Sequence, residues 1–368
     1  GAHVDVILTQ GAAEFVRPPT FEALSGRTVL TSLWAPDSAL QHVRLAQQAD
    51  LIIVAPATAH LIARAAQGLG DDLLTTLLLA HTAPVLLAPA MNDEMYANPA
   101  TVANLELLRQ RGFRTVGPEV GSLAEGPSDR PGRMSEPELI LAHAERVLCS
   151  TGPLAGMHVV VTAGPTREPI DPVRLISNRS SGKMGYRLAE AAWARGAEVV
   201  LISGPSGENA PPGVTLVRVE TTAEMSAAVA AALPAADALI MAAAPADFRP
   251  ASPGDAKRPR QEGTLSIVVE PTADILLETR SLRKAGSIIV GFALETGDAV
   301  TKGRAKLARK ELDLIVVNDA LESDAAFEVD TNRVVILDSD GGETAVPLAA
   351  KREVADRILD AIEARRGR

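Results

Sequence analysis

The chain has 368 residues and is short of cysteine, of net positive charge and of long apolar runs. Cys149 is the only cysteine, so no disulfide can close within the chain. Lys and Arg number 36 against 46 Asp and Glu, a formal net charge of −10, which argues against the basic footprint of a nucleic-acid binder. An anionic small substrate is not excluded, because a local cluster of cations overrides the global sign. No apolar run reaches membrane-spanning length and no leader pattern is visible, so neither a membrane nor an export route is expected. With one cysteine, the expected compartment is the reducing cytoplasm. No internal repeat is evident. No G-x-G-x-x-G turn follows a predicted strand either. After Val159–Val161 the chain reads Gly164-Pro165-Thr166, which counts against one alternative, a nicotinamide-dependent Rossmann oxidoreductase.

Hydrophobic residues make up 46% and charged residues 22% of the chain, the balance of a globular protein long enough for two domains with full cores. Strand-like apolar runs alternate with helical periodicity. In the first half the predicted strands are Val4–Leu8, Leu51–Ala55, Val85–Ala88 and Thr115–Val116. In the second they are Val159–Thr162, Val199–Ser203, Leu216–Val219, Ala238–Ala243, Ile288–Phe292 and Leu314–Asn318. Helical spacing lies between them, as in Leu61–Gln67, Met225–Ala232 and Thr301–Lys310. This alternation predicts α/β architecture, with two doubly wound, Rossmann-like domains. The small-residue break Ser150–Gly156 puts 1–150 in one domain and 151–368 in the other. Arg249–Gly263, rich in Pro, Asp, Lys and Arg, reads as a flap, and Glu328–Leu337 as an added hairpin turning at Asp330-Thr331-Asn332.

The densest signal is Thr162–Gly185, TAGPTREPIDPVRLISNRSSGKMG. A buried parallel strand runs into a polar, glycine-bearing loop and then a helix start. Backbone N–H groups converge there and Lys or Arg adds charge, the arrangement phosphate binding needs. Together with Ala242–Pro250, Gly291–Thr296, Lys306–Asn318 and the late run through Leu337, this segment resembles the phosphopantothenate–cysteine ligases. The resemblance implies CTP as its Mg2+ complex, with an acyl-cytidylate intermediate. A carboxylate attacks the α-phosphate, and pyrophosphate leaves. By the same resemblance Asn178 contacts the acyl-cytidylate, Lys306 and Lys310 hold the triphosphate, and Lys257 comes from the flap for the attack by cysteine. Met241, Ala242, Ala243, Asp247, Ala273, Asp274, Ile275, Leu276 and Phe292 fall at positions that contact cytidine. Read without the resemblance, each has a plainer role. Asn178 is a helix cap, Asp247 a turn former, Phe292 a core residue, and the i,i+4 pair Lys306/Lys310 a solvated face. Lys183 adds charge at the same helix start. The flap reads Lys257-Arg258-Pro259-Arg260 where the family has a lysine cluster. No local cluster names metal ligands.

Residues 1–148 resemble the phosphopantothenoylcysteine decarboxylases, through Phe15–Gly26, Leu40–Ala59, Gly68–Ala80, Ala88–Tyr96 and Gly132–Pro137. The resemblance implies a flavodoxin-like domain that uses FMN, with Thr58 among the flavin contacts. It assigns His42 as the catalytic base, a side chain type that exchanges protons near neutral pH. Asn92 would grip the substrate carboxylate. Read alone, His42 is a satisfied helix histidine and Asn92 a turn former. The chain enters the family pattern after its first strand and glycine-rich turn, so this domain is expected to lack that strand, and sequence is expected upstream of Gly1. Glu125, in Leu123-Ala124-Glu125-Gly126, stands where the family carries a cysteine, and a carboxyl can serve as an acid there. Pro56-Ala57-Thr58-Ala59-His60-Leu61 loses a family asparagine. The two enzymes are commonly fused in this order, and the resemblance implies homo-oligomers acting on small molecules. A second alternative, a non-catalytic regulatory relative of the flavoproteins, would carry an acidic tail or other appended segment, and none is found.

Overall fold

In the computed structural model the chain divides into two compact units, Gly1–Leu148 and Cys149–Arg368. The structure describes residues 2–34, 40–257, 266–295, 297–319 and 329–367.

The first unit has a three-stranded parallel sheet, Ile52–Ala57, Val85–Pro89 and Arg114–Thr115, with Val85–Pro89 in the middle. The middle strand is buried on both faces. Val85 and Leu87 join a cluster with Ile62, Leu105 and Leu108 from the helices Ala59–Gln67 and Pro99–Gln110. Leu86 and Ala88 point the other way, to Ile140 and Ala144 of Pro137–Leu148. That two-residue alternation is why the run reads as continuously apolar. An antiparallel hairpin, Glu119–Leu123 with Gly126–Arg133, follows the sheet.

The second unit is built on eight strands: His158–Ala163, Glu198–Ser203, Thr215–Arg218, Ala238–Met241, Ile288–Glu295, Leu314–Asp319, Thr331–Asp338 and Glu343–Ala350. Numbered by appearance within the unit they lie in the order 3-2-1-4-5-6-7-8. The first six run parallel and the last two are added antiparallel. The order reverses between the first and fourth strands, the switch point at which doubly wound sheets open a crevice. One face carries a cluster of Val160, Met225, Val229, Ile289, Leu307 and Ile315, covered by Thr222–Ala232 and Ala299–Lys310. Thr221 and Glu224 start the first of these helices with a capping box, and Asp298 caps the second. The helices Lys183–Ala194 and Lys351–Arg366 pack together and are tied by Arg195 to Asp356, Asp360 and Glu363.

Three expectations change. Val4–Leu8 is not a sheet strand. It makes one parallel bridge, Ile7 to Leu30, outside the three-stranded sheet, and Asp5 faces outward to pair with Arg27. Ala238–Ala243 ends as a strand at Met241, because the Ala243 N–H turns away to the Thr162 hydroxyl, 3.1 Å. The late hairpin exists but turns elsewhere. Thr331–Asp338 runs straight through the expected turn and reverses at Ser339–Gly342, where Gly341 has φ 97° and the Asp338 carboxylate accepts from the N–H groups of Asp340 and Gly342. The reason is Asn332, which is buried and accepts from the Asn318 amide at 2.7 Å, so it faces the sheet and not solvent. The flap is founded on Phe248–Pro250 paired antiparallel with Val269–Pro271, and Arg258, Pro259 and Arg260 fall outside the described residues.

The helix Lys183–Ala194 lies unusually close to the first strand at Gly185. A Cβ there would sit 2.6 Å from the Ala163 Cβ and 2.8 Å from the Thr162 carbonyl oxygen. Gly185→Ala, a favourable change in an ordinary helix interior, is therefore expected to destabilise this unit by about 1–3 kcal/mol. Denaturant unfolding followed by circular dichroism measures it, and a gain in stability would contradict the close approach.

Candidate functional site

At the switch point the loops leaving the first and fourth strands must satisfy their own backbone groups, since neither continues the sheet. Three side chains accomplish this. The Thr162 hydroxyl accepts from Ala243 N–H. The Thr166 hydroxyl accepts from Ala246 N–H at 2.9 Å and shares a hydrogen bond with the Thr222 hydroxyl at 2.8 Å, all of it buried. The Asn178 amide donates to the carbonyls of Ala244 and Pro245, at 3.2 and 2.9 Å. A backbone bond from Ala244 N–H to Gly164 O closes the bridge between the loops. Glu168, 4% exposed, accepts from Thr222 N–H at the start of Thr222–Ala232, where a carboxylate is favoured by the helix dipole.

Around this crossing stand most of the residues singled out from the sequence. Asn178 is not a helix cap, because Gly182 holds the N-cap of Lys183–Ala194 with φ 84°. Met241 ends the fourth strand and pairs in register with Gly291, so half-buried Phe292 is on the adjoining strand one residue further along. Asp247 is exposed. Its carbonyl accepts from Thr272 N–H, and the Thr272 hydroxyl donates to Ala246 O at 2.5 Å, which brings Ala273–Leu276 alongside. Asp274 begins the short helix Ile275–Glu278 and is paired at 3.0 Å with Lys310. Lys306 is paired at 2.5 Å with Glu295. Both lysines thus point back from Ala299–Lys310 toward the crevice, and neither is on a merely solvated face. Lys183 pairs at 2.7 Å with Asp330. Lys257 is exposed, three residues beyond Gly254, whose N–H donates to Ile170 O. No contact joins Lys257 to the other site residues among the described residues. No group of three His, Cys, Asp or Glu that could hold a metal ion occurs among the described residues.

In the first unit Asn92 and Glu125 meet. Asn92 caps Asp93–Ala97 through its side-chain oxygen, and its amide nitrogen donates to the Glu125 carboxylate at 3.2 Å. The hairpin bearing Glu125 is pinned to that helix by Ser128 to Asp93, 2.6 Å, and Arg130 to Glu94, 2.5 Å. Thr58 caps Ala59–Gln67, directly after the first strand of this unit's sheet. His42 lies on Gln41–Gln48, and its Nδ1 is buried with no hydrogen-bond partner among the described residues.

Residues 154–365 match the model of the DNA/pantothenate metabolism flavoprotein C-terminal domain, and residues 1–148 match the flavoprotein model. The coenzyme A biosynthesis bifunctional protein CoaBC of Bacillus subtilis (strain 168) is 47% identical over 369 residues, covering 99% of this chain and 90% of that one. The chain belongs to the family of coenzyme A biosynthesis bifunctional proteins. Its member from Mycobacterium tuberculosis (strain ATCC 25618 / H37Rv) is 48% identical over 374 residues, 98% of this chain and 89% of that one. The crystal structure of the DNA/pantothenate metabolism flavoprotein from Streptococcus pneumoniae shares the fold of one part, with TM-score 0.50 and 23% identity over 57% of this chain and 99% of that one. No helix is long and apolar enough to cross a membrane among the described residues.

For this member of the family, sequence reading missed Thr166, Glu168 and Thr222, which hold the crossing together. A Gly-Pro-Thr after a strand was their only signal. Thr166→Val is expected to cost about 1–3 kcal/mol by leaving Ala246 N–H buried and unpaired, and Thr166→Ser to restore most of it. Urea unfolding of the two variants checks the pair, and equal stability would refute the role.

Proposed function

We propose that residues 151–368 join phosphopantothenate to cysteine at the expense of CTP, and that residues 1–150 decarboxylate the product. The observation that carries the first claim is the crevice at the switch point. There Asn178, Met241–Ala243, Asp247, Ala273–Leu276, Phe292, Lys306 and Lys310 surround two loops fixed by buried hydrogen bonds.

In the first step a carboxylate oxygen of phosphopantothenate attacks the α-phosphorus of CTP, delivered as its Mg2+ complex. A C–O–P link forms, the α–β phosphoanhydride breaks, and pyrophosphate leaves. Negative charge gathers on the phosphates, and Lys306 and Lys310 stand where it does. Their present partners, Glu295 and Asp274, keep both side chains extended until phosphate replaces them. Cytidine lies against Met241–Ala243, Asp247, Ala273–Leu276 and Phe292. Asn178 holds the acyl-cytidylate with its amide poised by Ala244 and Pro245. In the second step the cysteine amine attacks the acyl carbon, the C–N bond forms and CMP leaves. Lys257 enters from the flap to offset the charge on the departing phosphate.

For the first unit, a buried Nδ1 of His42 without a partner among the described residues and the capped helix start at Thr58 fit a flavin nearby. FMN, when bound, supplies two-electron oxidation of the substrate thiol and returns the electrons afterwards. Thr58 would contact it. His42 moves the proton. Asn92 orients the substrate carboxylate with the amide that now meets Glu125, and Glu125 is the acid on the hairpin.

Purified protein with CTP, phosphopantothenate and cysteine is expected to release pyrophosphate, and Lys257→Gln to lose at least tenfold in the amide-forming step, about 1.4 kcal/mol. A wild type that releases none, with the variant indistinguishable, sinks the ligase reading. In the first unit Glu125→Cys is expected to raise the decarboxylated product, with the flavin absorbance of the purified protein unchanged. A fall in product would make the carboxyl, and not a thiol, the group this chain requires.

A further inference from the structure

A cavity of about 750 Å3 opens at the ends of the first three strands of the second unit, on the other side of the Thr166–Asn178 ridge from the crevice. Its walls include Arg167, Ser181, Ser206, Glu208, Arg218 and Glu220. None of these takes part in the activation step derived above. We infer that the cavity seats the amino-acid substrate as a zwitterion, its carboxylate toward Arg167 and Arg218 and its amine toward Glu208 and Glu220. This inference rests on the ligase reading and names the place of its second substrate.

The charges decide the class of ligand. The lining carries two arginines and two glutamates, with Arg187 beside Glu208. A phosphate dianion would leave both carboxylates opposed to it, whereas a small zwitterion can satisfy both signs at once. Arg167 lies 3.6 Å from the Glu220 carboxylate, and its N–H donates to the Glu220 carbonyl, so one cation and one anion are held side by side. Glu208 is 3.7 Å from Arg187, and its N–H donates to the Ser206 hydroxyl. Arg218 makes no ion pair among the described residues, leaving its guanidinium for the planar, two-point grip that suits a carboxylate.

Position argues for the same ligand. In the hairpin Arg167–Pro169 with Leu175–Ser177, Arg167 is opposite Ser177, the neighbour of Asn178. The Ser177 hydroxyl donates to Thr166 O at 2.8 Å, and the Ser206 hydroxyl to Ser181 O at 2.7 Å. The cavity and the crevice therefore share one wall, with Asn178 on it. An amine leaving this cavity reaches the acyl carbon held at Asn178 without crossing the nucleotide. In the cavity the ammonium first yields one proton to Glu208 or Glu220, which frees the nitrogen lone pair. At the acyl carbon the C–N bond then forms, the acyl C–O bond breaks, CMP leaves with the bonding pair, and the second surplus proton passes to the CMP phosphate or to water.

Arg218→Gln and Glu208→Gln test this in the full-length protein. At saturating CTP and phosphopantothenate, the KM for cysteine is expected to rise about tenfold or more in each, equivalent to about 1.4 kcal/mol of binding. Pyrophosphate released in a single turnover with cysteine omitted should keep its wild-type rate and amplitude. A cysteine KM within about twofold of wild type in both variants overturns the inference. So does a rise confined to the KM for phosphopantothenate, which would give the cavity to the phosphorylated substrate. Absence of the pyrophosphate burst in wild type would defeat the ligase reading instead. In that event calorimetric titration of cysteine into wild type and Arg218→Gln still decides the cavity, because weaker binding by the variant supports it and equal or absent binding refutes it.

Discussion

Two neighbouring parallel strands whose chains depart to opposite sides leave a gap that no sheet hydrogen bond can close, and the second unit depends on how that gap is filled. The Thr166 hydroxyl fills it, accepting from Ala246 N–H while bonded to Thr222. Around it the Thr162 hydroxyl takes Ala243 N–H, and the Asn178 amide takes two further carbonyls. A buried donor left unpaired costs about 1–3 kcal/mol, so the loops have little freedom to drift apart. Gly164, with φ 75°, and Gly185, with no room for a Cβ, let the backbone approach closely enough for these bonds to form. The crevice is thus shaped by groups that cannot move without loss, which is what a site that discriminates a transition state from its ground state needs.

On the ligase reading, Lys306 and Lys310 show how an acidic chain can present cations to an anionic ligand. Each is matched by a carboxylate, Glu295 and Asp274. Such partly exposed pairs contribute only about 0–1 kcal/mol, because solvent screens them and side-chain entropy opposes them. Such pairs hold each ammonium extended and would give it up easily to a phosphate of higher charge. A lysine left in open solvent would have to be ordered by the ligand itself, at up to about 2 kcal/mol of rotamer entropy. On that reading, net charge is a poor guide to ligand charge.

The sheet was legible because parallel strands buried on both faces leave unbroken apolar runs, and eight of the ten predicted strands overlap observed ones within one or two residues. Misreadings arose where local composition competed with tertiary contacts. Asp330-Thr331-Asn332 looks like a turn, yet Asn332 is drawn into the sheet by Asn318. Val4–Leu8 has the composition of a strand but only one bridge to define it. In the candidate site, the resemblance named residues embedded in extended motifs, and their mutual placement comes from the fold. Thr166 and the pairing of Arg167 with Glu220 were not legible. One hydroxyl carries no periodicity, and two arms of a cavity that are distant in sequence meet only once strand order is fixed.

The two units differ in what holds their chemistry in place. In the second, buried hydrogen bonds fix the backbone and the charged groups are added at its rim. In the first, the meeting of Asn92 with Glu125 lies near the surface, with the carboxylate exposed and the hairpin pinned by Ser128 and by the exposed Arg130–Glu94 pair. Contacts of that kind set geometry at small energetic cost, so exchange of the hairpin residue changes the chemistry offered to a substrate far more than it changes the fold. In the proposed decarboxylase site the Glu125 carboxylate already occupies the Asn92 donor, so a substrate carboxylate using that donor would have to displace it with a better-placed anion. On this physical ground the chemistry proposed for the first unit hinges on one side chain on a surface hairpin, while that proposed for the second rests on the interior of its sheet.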